Sequence, residues 1–167
     1  METRTAPPRL GLNVLIVMDR SPGFLEALRG AAACLPQIAH MTFTLLCCCP
    51  MRYWEHGGAD SPEAKDEIER ASRRQDEALD CAERCLNQAS AILEQAGVPA
   101  RHILTRIVTT QDSYVAAAMH ELNQGQYSGV IVSRYHEDLI NRLQRRGVTD
   151  IFRRIPNVEV WALDLKA

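Results

Sequence analysis

One short apolar run near the N-terminus constrains this chain most. Leu12–Asp19 reads Leu-Asn-Val-Leu-Ile-Val-Met-Asp, rich in branched aliphatic side chains and too short to span a membrane. Such a run suits a strand buried on both faces, as strands are in a parallel sheet covered by helices. Asp19-Arg20-Ser21-Pro22-Gly23 follows directly, and then an apolar helical pattern begins. A carboxylate is therefore left at the C-terminal edge of a central strand, beside the start of a helix. In open α/β sheets, ligands bind at that edge.

The rest of the chain reads as strands added beside this one. Phe24, Leu25, Leu28, Ala31, Ala32 and Leu35 recur at three and four, which predicts an amphipathic helix with Ser21 as N-cap and Pro22 in its first turn. Pro36 stops it. A second strand is expected at Met41–Cys49, ended by Pro50, so a right-handed βαβ crossover is expected. Met51–Ser61 then carries Arg52, Tyr53, Trp54, His56 and Gly57-Gly58. It reads either as a flap facing a ligand or partner, or as a loop whose two aromatics cap the core.

Ser61-Pro62 opens a long helical stretch that runs to Ala96 and ends at Gly97 and Pro99. Its first half is crowded with charge (Glu63, Lys65, Asp66, Glu67, Glu69, Arg70, Arg73, Arg74), and Glu69–Arg73 lies one turn apart. Its second half keeps Leu79, Ala82, Leu86, Ala89, Ile92 or Leu93 and Ala96 on one side. The expectation is a helix lying on a sheet with an overhanging N-terminal end. A third strand at His102–Val108, a helix carrying Val115, Ala116, Met119 and Leu122, and a fourth strand at Gly129–Ser133 follow. Beyond a polar and basic region, Arg134–Gly147, come a short helix around Val148–Arg154 and a last strand at Val158–Leu163. Five strands alternating with four helices make this an α/β chain with a mainly parallel sheet.

Composition narrows the function. At 167 residues the chain is expected to be a single domain, residues 11–167, behind a lead-in of residues 1–10 that includes Pro7-Pro8. Nineteen basic and 21 acidic residues give a net charge of −2, so no basic excess points to nucleic acid. No membrane span and no signal-peptide core are read, and a cytoplasmic location is expected. Six cysteines, Cys34, Cys47, Cys48, Cys49, Cys81 and Cys85, are expected free. Three lie in an apolar strand, where cysteine acts as a small hydrophobe. Cys81 and Cys85 share a helix face, but no Cys-x-x-Cys or His pair completes a metal site.

In order and spacing these segments resemble the universal stress protein family over about residues 11–164. Met18-Asp19-Arg20-Ser21 is similar to that family's opening Val-Asp-Gly-Ser. The second strand running into Pro50 and a Tyr-Trp loop, Gln95-Ala96-Gly97-Val98, Gly129-Val130-Ile131-Val132, and Asp150–Arg154 with Pro156–Val160 are similar too. The resemblance implies a Rossmann-like, flavodoxin-like open sheet of five parallel strands in order 3-2-1-4-5, with helices on both faces. It also implies a homodimer joined through the last strand, Val158–Leu163.

One branch of that family binds ATP through Gly, two residues, Gly, nine residues, then Gly and a hydroxyl residue. Phosphates need backbone N–H groups at close approach, which small residues permit. Laid without gaps after the fourth strand, the glycines fall on Arg134, Glu137 and Gly147, and Val148 stands where the hydroxyl should be. No glycine occurs from Val130 to Arg146. Only Gly147 matches. Asp19 matches the position at which nucleotide-binding members contact adenosine. A residual pocket would draw on Asp19, Arg20, Ser21, Cys48, Cys49, Ser133, Arg134, Gly147 and Val148. Arg134, Arg142, Arg145 and Arg146 offer side chains to an anion, or form an ordinary solvated face. Asp19 serves equally well as a helix cap.

No nucleophile, acid–base pair or metal set carries a catalytic reading; His136 beside Glu137 and Asp138 comes nearest. The expectation is a non-enzymatic, stress-response or regulatory homodimer that acts mainly through contacts with a protein partner the sequence does not name. Its ATP site is degenerate, and it has no obligatory cofactor, nucleic acid or membrane partner. The alternatives are an adenine-nucleotide sensor, for AMP or ATP, with an arginine-containing phosphate site, and a weak phosphohydrolase using the same pocket.

Overall fold

In the computed structural model, the described residues are 12–18, 23–35, 37–51, 61–110, 113–133 and 152–163. They form a five-stranded parallel sheet: β1 (Asn13–Val17), β2 (Thr42–Pro50), β3 (Ile103–Thr110), β4 (Gly129–Ser133) and β5 (Glu159–Leu163). The order is β3-β2-β1-β4-β5, as the resemblance to universal stress proteins implied, and the sheet is parallel, as the alternation of strands and helices implied. Helices α1 (Phe24–Cys34) and α2 (Pro62–Gln95) cover one face, and α3 (Tyr114–Gln124) the other.

Period-2 alternation splits each strand between the faces. Val14 and Ile16 of β1 join Phe43, Leu45, Cys47, Cys49 and Ile131 beneath α1 and α2, where Phe24, Leu28, Ala82, Leu86, Ala89 and Leu93 complete the larger cluster. Leu15 and Val17 turn the other way, to Leu46, Val130, Val132, Ala118, Leu122 and Phe152. Buried on both sides, β1 can afford no polar side chain between Val14 and Val17, and this explains its unbroken apolar sequence.

Helix ends follow local chemistry. Ser61 caps α2, its hydroxyl accepting the Ala64 N–H at 3.2 Å, with a proline in the first turn. At the other end Gly97 takes φ +101°. Its N–H donates to Glu94 O at 2.9 Å, and the Val98 N–H donates to Leu93 O at 3.0 Å. That pair is the Schellman arrangement, and Val98 and Leu93 are both buried in the larger core cluster. Ser113 caps α3 in the same way through the Ala116 N–H.

Three expectations need correction. Helix α1 begins at Phe24, with Gly23 as N-cap and no side-chain cap bond; Ser21 and Pro22 lie outside the described residues. Strand β2 runs through Pro50 rather than ending before it, and β3 runs two residues past Val108. The two extensions pair with each other, Cys49 with Thr109 and Pro50 with Thr110, so each strand lengthens the other. A proline is tolerated as the last residue of a strand. Of the short helix expected at Val148–Arg154, only Phe152–Arg154 is described; Phe152 is fully buried against the α3 face.

Candidate functional site

The switch of winding direction falls between β1 and β4. From β1 the chain builds outward through α1 to β2 and α2 to β3, then crosses by α3 to β4 on the other side of β1. Adjacent strands that wind apart leave a crevice at their C-terminal ends, and ligands settle there in open α/β sheets. Val17 ends β1, and the register Ile16 with Ile131, carried two residues further, sets Met18 level with Ser133. Ser133 is buried at the last position of β4.

Strand β2 outruns β1. Its last β1 partner is Val17, opposite Leu46, and the Met18 N–H donates to Leu46 O at 2.8 Å. Cys47–Pro50 continue against β3 alone, ending where the Met51 N–H donates to Thr110 O at 2.8 Å. The β2–β3 extension is thus one wall of the crevice, and β4 stands on the opposite side of β1.

Cys48 and Cys49 do not form a paired lining. Alternation sends Cys49 to the α2 side, fully buried, where its thiol donates to Ala78 O at 3.8 Å. Cys48 faces the α3 side beside Val108 and Tyr114, 4.0 Å from Tyr114 O. Burial, reinforced by the nearness of Cys49, pushes the Cys48 thiol up from its ordinary 9.0 to about 11. A thiol so displaced stays protonated near neutrality, which makes it a poor nucleophile and a poor metal ligand. What the two cysteines can share toward one ligand is backbone. The other sequence-predicted site residues, Asp19, Arg20, Ser21, Arg134, Gly147 and Val148, lie outside the described residues, as do Tyr53 and Trp54.

One polar network escaped the sequence reading. Glu121 of α3 is only 7% exposed, yet it accepts from the Arg106 guanidinium of β3 and, at 2.7 Å, from the Tyr127 hydroxyl. Burial, with the adjoining Glu121 carboxylate, raises the Tyr127 phenol above its ordinary range, against an opposing hydrogen bond from Thr44. The Glu121 hydrogen bond and charge raise Arg106 as well. The network ties the C-terminal end of α3 to β2 and β3, away from the β1–β4 crevice. A glutamate within a helix carries no sequence signal that it will be buried.

Among the described residues a groove of about 400 Å³ is lined by Glu83, Leu86, Asn87, Thr105 and Ile107. It lies between α2 and edge strand β3, two strands from the switch point. No group of three His, Cys, Asp or Glu side chains among the described residues gathers to hold a metal. Cys85 packs on the larger core cluster and Cys81 is half-buried. No helix among them is long and apolar enough to cross a membrane.

Comparison with solved structures places the architecture. No family model matches the chain, and no curated protein matches it by sequence. A universal stress protein in complex with cAMP superposes with a TM-score of 0.62 at 16% identity, over 93% of this chain and 98% of that one. The universal stress protein UspA from Lactobacillus plantarum gives 0.64 at 14% identity, over 92% and 97%. One from Archaeoglobus fulgidus in complex with dAMP gives 0.52 at 12% identity, over 91% and 97%. The chain therefore has the α/β fold of universal stress proteins, the architecture implied by its sequence resemblance, over nearly its full length.

Proposed function

We propose that this chain is a regulatory protein of universal stress type that works through protein contacts, with a nucleotide site that has lost its grip on a triphosphate. The observation that carries this reading is the absence of glycine from Arg134 to Arg146, immediately after the strand whose end borders the switch-point crevice. A phosphate chain held by backbone needs several N–H groups at close approach, and bulky side chains keep it away. Glu137, where the second glycine of the family's motif would fall, adds charge repulsion.

The remainder of the proposal follows the fold. Strand β5 has β4 on one side and no strand on the other among the described residues, which supports a homodimer joined through Val158–Leu163. Val158 and Val160 pack onto the chain's own core, so that pairing would rest on edge backbone more than on side chains. A non-enzymatic role and a cytoplasmic location belong to the same reading.

A second reading has its own support. Two structural neighbours were solved with adenine nucleotides of a single phosphate, cAMP and dAMP. Such a ligand asks less of the missing glycines, and Asp19 with Arg134, Arg142, Arg145 and Arg146 has the chemistry for its adenosine and phosphate ends. Calorimetric titration of the full chain separates the readings. The first expects no saturable heat with ATP, ADP or AMP at millimolar concentration. Micromolar AMP binding that is lost in Asp19→Ala would replace it with the second.

A further inference from the structure

Strand β3 is an edge of the sheet, and its outer side is open. It pairs with β2 alone among the described residues. Leu104 is 54% exposed, and Thr105, Arg106 and Thr109 are exposed as well. In a parallel ladder each residue turns its N–H and C=O to one side, and the residues before and after it turn theirs to the other. Thr110 O accepts from the Met51 N–H, just past the end of β2, so the backbone of Thr110, Val108 and Arg106 faces β2. Thr105, Ile107 and Thr109 turn theirs outward, with no strand to receive them among the described residues. Of the eight residues of β3, six are β-branched, and such an edge is a template for a further strand.

Helix α2 sets what this edge accepts. Thr105 and Ile107 line the groove of about 400 Å³ together with Glu83, Leu86 and Asn87. Along that flank of the helix Asp76, Asp80, Glu83, Asn87 and Glu94 follow at steps of four, three, four and seven, and all are exposed. From Gln75 to Gln95 the only basic residue is Arg84, whose Nε–H donates to Asp80 O at 3.3 Å. Arg106 of β3 lies on the opposite face, paired with Glu121. A second copy of this chain is a poor occupant. An antiparallel β3–β3 pair would keep both α2 helices on one face of a continuous sheet, with their acidic flanks toward each other. Resting on the protein-contact role proposed above, we infer that the outer edge of β3 takes up an extended, basic segment of a partner protein as a sixth strand.

An added strand lies about 4.8 Å beyond β3, and its side chains alternate between the two faces of the sheet. Those on the α2 side pass Glu83 in the groove. Lysine or arginine there lays its aliphatic stem along the groove and brings its charge to the carboxylate. Those on the α3 side meet exposed Leu104, which suits valine or isoleucine. Backbone bonds supply the affinity, and this alternation of basic and branched apolar side chains supplies the selectivity.

The test titrates a synthetic octapeptide of alternating valine and lysine, blocked at both ends, against the full chain, followed by fluorescence anisotropy of a label on the peptide. Saturable binding is expected. Thr105→Pro removes one outward N–H at an edge position where proline is tolerated, and is expected to weaken binding roughly tenfold. Glu83→Lys is expected to weaken it to a similar extent. Circular dichroism checks that both variants keep their helix content. Against the unaltered chain, the same peptide N-methylated at its backbone amides is expected to lose binding, and a valine–glutamate peptide to show none. No saturable binding overturns the inference. So does binding indifferent to Thr105→Pro and to N-methylation, which marks charge attraction without strand addition. A sedimentation mass of the chain alone that falls in Thr105→Pro overturns it in favour of a second copy on this edge. ATP affinity, which decides the proposed loss of the nucleotide site, draws on neither Thr105 nor Glu83, so the two readings fail separately.

Discussion

The indole of Trp161 on β5 lies over Gly129 on β4, so close that a Cβ on the glycine would meet the ring at 2.7 Å. The sheet pairs Gly129 with Glu159 and Ile131 with Trp161, so the ring reaches diagonally back along the strand pair. Its Nε1–H donates to the Glu159 carboxylate at 3.0 Å. Gly129 is thus the residue that lets an indole close the outer end of the larger core cluster. Gly129→Val is expected to displace the ring and destabilise the fold by about 1–3 kcal/mol. Urea denaturation followed by tryptophan fluorescence reads both effects.

Gly97 is the other glycine whose backbone demands it. At φ +101° a side chain is strained, although nothing crowds the space a Cβ would fill. Gly97→Ala is expected to cost about 1–2 kcal/mol, measured by thermal denaturation. A cost near zero would mean that the end of α2 relaxes out of its capped form.

The buried end of α3 predicts a graded response. Tyr127→Phe removes one hydrogen bond to Glu121 and is expected to cost about 1 kcal/mol. Gly125 makes the same point sterically, because a Cβ there would strike the Tyr127 ring at 2.1 Å. Gly125→Ala should therefore reproduce the loss of that hydrogen bond, and combining it with Tyr127→Phe should be far from additive.

The architecture was largely legible because its signals are local. Gly129–Ser133 is bounded by sequence alone, and Ser61 with Pro62 announces the start of α2. The missed ends of β2 and β3 have one cause: Pro50 and Thr110 are strand residues only because they face each other, which neither segment reveals by itself. The site was less legible. Cys48 and Cys49 are adjacent in sequence, and their neighbourhood suggested a shared lining. Strand alternation sends them to opposite faces.

Chemical reactivity follows from that separation. Cys34 is exposed, Cys47 and Cys49 are buried, and Cys48 is half-buried with its thiol raised to about 11. Alkylation near pH 8 is expected to label Cys34 well before any β2 cysteine, by mass spectrometry of the native protein. The linkage has a definite sign. Unfolding returns Cys48 toward 9.0, so between about pH 9 and 11 the unfolded chain releases a proton that the folded one keeps. Stability should fall as pH rises through that window, and below it Cys48 should contribute no pH dependence.

The claim that lost glycines decide nucleotide binding is tested most directly by putting them back. Arg134→Gly, Glu137→Gly and Val148→Ser together rebuild the spacing that ends at Gly147. ATP affinity is then measured calorimetrically beside the unaltered chain. A micromolar isotherm in the rebuilt protein and none in the original is the predicted result. Equal binding by both would contradict it, showing that this fold holds ATP without the glycines and that the proposed loss of function never took place.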